Sequence, residues 1–129
     1  MLPAEAQAAA ITQIKPPCNA ANTADATGAW VAVAASEGCL VFTQETGAIG
    51  SATLIGTLET SPAANGANNV AMTFDDGDAA FATVSAANNI QKKVVNARKN
   101  LGYIKYIGTV GTGPIFVGVS MLHRPKTTT

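Results

Sequence analysis

The chain has 129 residues and a mean hydropathy of +0.20, enough for one domain with a buried core. Its formal net charge is zero and only 12% of its residues are charged, so the whole molecule has no electrostatic case for binding nucleic acid or an acidic membrane. Sparse charge among many Ala, Thr, Gly and Asn residues suits a surface that meets other protein better than the surface of a free enzyme.

Residues 1–28 read as an N-terminal arm. Pro3 can start a short alanine-rich helix, and Ile11, Ile14 and Pro16-Pro17 continue it as an extended piece. With Leu2, Ile11 and Ile14 as its main apolar groups, the arm cannot build a core. It lies along its own domain or reaches a neighbour, and reaching a neighbour is the favoured expectation. The start has no basic segment, and Pro3, Glu5 and Gln7 interrupt any apolar stretch, so no secretory signal is expected. No apolar run approaches the roughly 20 residues of a membrane helix.

Strand-like runs then recur at the spacing of an all-β sandwich. They are Ala29–Ala34, with Trp30 as an expected core anchor, then Cys39–Gln44, Ser51–Thr60, Val70–Phe74 and Phe81–Ser85. Val70, Met72 and Phe74 are expected to share one side. Asn89–Arg98 is read as a strand, with a helix as the alternative. Tyr103–Val110 and Ile115–Leu122 flank Gly111-Thr112-Gly113-Pro114 and are expected to form a β-hairpin. Period 2 puts Ile104 and Tyr106 on one face of the first run, and Ile115, Val117, Val119 and Met121 on one face of the second. The fold expected is an all-β, jelly-roll-like two-sheet β-sandwich over residues 29–122, with an extended N-terminal arm and a short polar tail at 123–129.

Chemistry is thinly represented. His123 reads as a solvent-exposed residue at a strand end, with nothing to make it a general base. Asp75-Asp76-Gly77-Asp78 supplies carboxylates but lacks EF-hand spacing, and a turn needs the same residues. The glycines around residue 111 precede a β-branched strand rather than a helix, which excludes a phosphate loop. Cys18 and Cys39 are expected as free thiols, with a bridge left open. No catalytic residue, cofactor or metal site is assigned, and the chain is not expected to be an enzyme. The eight acids and Lys15 all precede residue 79 and the other seven bases follow it, giving −7 and +7 in the two parts. Either copies meet head to tail, a basic face meets an acidic partner, or strands from the two parts lie side by side and pair their charges.

The segments Ile11-Thr12-Gln13-Ile14, Gly28-Ala29-Trp30-Val31, Glu37-Gly38-Cys39-Leu40, Asn89-Ile90-Gln91, Tyr103-Ile104-Lys105-Tyr106 and Gly113-Pro114-Ile115-Phe116-Val117 follow one another in an order that resembles a known family. It is similar to the small structural proteins encoded in the head-gene region of tailed bacteriophages, which include capsid decoration (cement) proteins. The resemblance spans most of residues 1–122 and contains no active-site motif. It implies a virion protein on the outer capsid surface, assembled in the host cytoplasm. Its partners would be the major capsid protein and other copies of itself, as a dimer or trimer, with no nucleic acid and no membrane. The expected contact residues are Leu2, Ile11, Ile14, Lys92, Lys93 and Lys99. A tail or head-completion protein and a carbohydrate-binding sandwich are the alternatives, and the latter would need an exposed aromatic platform.

Overall fold

A computed structural model describes residues 2–16, 26–112 and 115–126. A short helix, α1 (Pro3–Ala8), leads directly into β1 (Ala10–Lys15). The body continues through β2 (Val31–Ala32), β3 (Ser36–Thr46), β4 (Thr53–Ser61), β5 (Val70–Ala71) and β6 (Ile90–Asn96). A 3₁₀ turn (Ala97–Lys99) leads to β7 (Tyr103–Gly111) and then β8 (Val117–Pro125).

These strands form two antiparallel four-stranded sheets, in the orders β1-β8-β3-β6 and β2-β7-β4-β5. The first strand pairs with the last, the second with the seventh, the third with the sixth and the fourth with the fifth. That is a long hairpin rolled up on itself, the order of a jelly roll. The all-β, two-sheet sandwich read from the sequence is the observed architecture.

The expected hairpin of β7 and β8 is not present. β7 pairs with β4 and β2, whereas β8 pairs with β1 and β3 in the other sheet. The face assignment holds even so. Ile104 and Tyr106 from one sheet, and Ile115, Val117, Val119 and Met121 from the other, are all buried in the shared core. Inward faces of this kind can lie side by side in a hairpin or face each other across a sandwich. Local turn chemistry does not distinguish the two, and the long partners β3 and β4 decide it.

β1 is likewise no free arm. It pairs along its length with β8 of its own chain, and Ile14 is completely buried in the core. The segment expected to reach a neighbour is the first edge strand of the sandwich, because Ile14 finds its apolar partners at home. The tail boundary also moves, since β8 continues to Pro125.

Two shorter runs lose most of their strand character. Only Val70–Ala71 pairs with β4, and Val70 is exposed while Met72 and Phe74 are buried. Within 81–85 only Val84 forms a bridge, to Leu54. Phe81 and Val84, three residues apart, both face inward, a spacing that a flat strand cannot provide. Phe81 meets Phe74 edge-on at 5.1 Å in the middle of the core.

The 75–89 connection covers the outer edge of β6. The side-chain amide of Gln91 accepts from Ala82 N–H and donates to Ala82 C=O, both at 2.8 Å, as a neighbouring strand would. Asp75 N–H donates to Val94 C=O at 2.8 Å, and its carboxylate accepts from Asn96 N–H. Such edge protection limits unwanted strand pairing.

Candidate interaction face

Alternation along the strands builds the outer face of the β1-β8-β3-β6 sheet. Leu40, Phe42, Gln44 and Thr46 of β3 point inward, which leaves Val41, Thr43 and Glu45 outward. The strand register then sets the rows. Ile11 lies opposite Leu122, Leu122 opposite Val41 and Val41 opposite Val94, an aliphatic row across all four strands. The next row is polar: Gln13, Ser120, Thr43 and Lys92. Beyond it, Gly118 lies opposite Glu45, and Glu45 opposite Ile90. Cross-strand neighbours of this kind interact directly, so each row acts as a unit.

The expected contact residues divide into two groups. Leu2 and Ile11 are 66% and 75% exposed, and Lys92 is exposed on the polar row. Ile14 is core and unavailable to a partner. Lys93 is held by Asp76 at 2.5 Å and Asp78 at 2.8 Å, and its ammonium lies 5.7 Å from the Phe74 ring centre. Lys99 donates to Thr73 C=O at 2.9 Å. Of the three lysines, Lys92 alone has no partner among the described residues.

The acidic turn is therefore occupied by its own chain. Its hydrogen bond to Lys93 holds the Asp76 carboxyl below the usual carboxylate range, and the same bond, with that from Asp78, raises Lys93. Arg124 pairs with Glu37 at 3.7 Å. In these pairs the acidic and basic parts of the sequence meet within one domain. Among the described residues no group of three or more His, Cys, Asp or Glu side chains could hold a metal ion. Nor is any described helix long and apolar enough to cross a membrane.

Trp30 is half-buried on the other sheet instead of anchoring the core. Its indole packs on the backbone of Gly66, where a Cβ would collide with the ring, and Lys105 lies 5.7 Å from the ring centre. Gly66 has a φ of +83°, so it suits this position in two ways. Trp30 thus fixes the 62–69 loop against the sheet. Cys39 is an exposed free thiol, and Cys18 lies outside the described residues.

His123 is buried on β8, not exposed at a strand end. Ser36 Oγ donates to Ala34 C=O at 3.1 Å and is left to accept from Nδ1–H of His123 at 2.9 Å. Nε2 then accepts from Thr12 Oγ1 at 3.1 Å. The neutral imidazole so assigned ties β1 and β3 to β8. Burial pushes its pKa below the ordinary value of 6.5. The native state therefore disfavours the extra proton, while the unfolded chain takes it up below about pH 6.5. The stability this residue contributes should be complete above that pH and lost as pH falls through the lower native value. Urea midpoints at pH 7.5 and pH 5 check this: wild type should lose stability on acidification, and His123→Leu should lose less. Equal slopes would remove His123 from the account.

No protein-family model matches the chain, and no curated protein matches it. Fold and face together define an all-β two-sheet sandwich with an aliphatic row and a polar row on one outer sheet face.

Proposed function

We propose that this chain is a non-enzymatic structural virion protein that decorates the outer capsid surface of a tailed bacteriophage and bridges neighbouring major capsid subunits. The observation that carries the reading is the N-terminal helix. α1 has six residues and none is buried. Pro3 sits in its first turn, and the Glu5 carboxylate accepts from Leu2 N–H at 3.0 Å, but helices this short are marginal without packing. Leu2 stands exposed at its N-cap and Ile11 on the strand that follows it. A neighbouring subunit that covered them would bury two large aliphatic side chains, each contributing roughly 1.5–3 kcal/mol. Repeated around a capsid, such contacts become intramolecular once one is made, and avidity can rise by roughly 10²–10⁴.

Three features favour this role over an enzyme. The acidic turn serves Lys93, His123 serves the β1–β8–β3 junction, and the aliphatic row on the outer sheet face is left for a partner. The reading is tested by mixing the protein with purified expanded heads and examining them by electron microscopy, with the solution mass measured alongside. Regular added density on the shell is expected. Deleting residues 2–9, which leaves β1 in place, should weaken binding at least about tenfold, and Ile11→Lys should weaken it too. Full-affinity binding by the deletion variant would refute the role of α1. Rings or tubes formed by the protein alone, with no head binding, would favour a tail component.

A further inference from the structure

The polar end of the same sheet face holds a groove of about 420 Å³, within the range of small-ligand sites. Gln13, Thr43, Glu45, Asn88 and Ser120 line it. None of these five side chains makes a hydrogen bond to another described residue. Elsewhere among the described residues many polar side chains are engaged, such as Gln91, Ser61 and Asn100. Here five unengaged donors and acceptors, from three strands and a loop, converge on one concavity.

Three further details narrow the ligand. Phe116 is 39% exposed and lines the groove, offering one apolar ring face. Gly118, directly opposite Glu45, has no side chain to fill the space. Glu45 lines the groove and Lys92 stands on the same polar row, while the buried Lys15 ammonium donates to Pro16 C=O, so neither sign of charge dominates and no net field favours an anion or a cation. Many hydrogen-bonding groups of both kinds, one aromatic face and no net charge match a polyhydroxylated neutral molecule. A pyranose ring presents hydroxyls around its edge and a C–H face to an aromatic ring. We propose that this groove is a binding site for a neutral saccharide.

This site does not depend on capsid decoration. The Trp30 surface on the opposite sheet is a poorer candidate, because Gly66 and Lys105 already pack on the indole. The test uses the full-length chain labelled with ¹⁵N and titrated separately with cellohexaose, maltohexaose and mannohexaose, each to about 10 mM. At least one should shift amide signals confined to Gly47, Asn88 and Phe116 through Ser120. Phe116→Ala should weaken that titration about tenfold, and Glu45→Gln should weaken it as well. Both positions are exposed, so both variants should fold, and their spectra report whether they do. No shift with any of the three sugars, shifts centred on Trp30 and Tyr103, or unchanged affinity in Phe116→Ala would each overturn the assignment.

Discussion

Replacing Gly56 with alanine is expected to destabilise the protein by about 3 kcal/mol, at the upper end of the cost of overpacking a core. Gly56 on β4 lies directly opposite Gly108 on β7, and both face the interior. The missing side chains leave the space in which the Tyr106 ring lies. A Cβ at Gly56 would stand 2.5 Å from the Tyr106 hydroxyl oxygen and 2.7 Å from its Cε2, and closer still to Gln44 Oε1. These atoms belong to completely buried side chains, so the added carbon must displace core groups from both sheets. At Gly108 a Cβ would meet Ala26 Cβ at 2.8 Å and Tyr106 Cε1 at 2.9 Å, the same restriction from the neighbouring strand. Thermal unfolding should show a loss of about 10 °C for Gly56→Ala. Thr53→Ala, at an exposed position of the same strand, should stay within about 0.5 kcal/mol of wild type. A Gly56→Ala protein as stable as wild type would mean that the ring is free to move aside.

These two glycines mark where sequence reasoning stopped short. A glycine inside a β-branched strand signals close approach by another group, but neither Gly56 nor Gly108 was read that way. What approaches them was not legible, because Gln44 lies 62 residues from Tyr106 and on the other sheet. The faces of β7 and β8 were legible, since strict alternation depends only on the strand itself. Which strands pair was not. The Gly111–Pro114 turn is compatible with a hairpin and equally with a crossing between sheets. For β1, Ile11 and Ile14 look alike in sequence, yet one is the most exposed large apolar side chain on the described surface and the other is core. Their positions three apart put them on opposite faces of a strand, and reading the segment as an arm hid that alternation. The groove was missed for a related reason. Gln13, Thr43 and Ser120 are unremarkable alone and become a site only once β1, β8 and β3 are neighbours. The alternation of β3, had its faces been read, would have placed Thr43 and Glu45 outward, and that was the usable signal.

The second large effect concerns the polar pair beneath those glycines. Tyr106 donates its hydroxyl to Gln44 Oε1 at 2.6 Å, and both side chains are completely buried. Burial also pushes the phenol pKa well above its ordinary value, so the hydroxyl stays protonated and remains a donor. Gln44 Nε2, also buried, has no hydrogen-bond partner among the described residues. The pair is thus half satisfied, and an unpaired buried polar group costs more than a paired one returns. Tyr106→Phe should therefore lose about 2 kcal/mol, because it leaves the whole Gln44 amide unpaired. Gln44→Met should lose about 1–2 kcal/mol, since it strands the hydroxyl but removes the unpaired amide. The double variant removes every polar atom of the cluster and fills the space with a flexible side chain of similar length. It should recover to within about 1 kcal/mol of wild type or exceed it, giving a coupling energy of at least about 2 kcal/mol between the sites. Urea unfolding of the four proteins measures this cycle directly. Strict additivity would mean that solvent reaches Gln44 in the native state. Recovery would identify the pair as a constraint on how the two sheets register, kept at a cost in stability, where the Tyr106 hydroxyl of one sheet meets the Gln44 amide of the other.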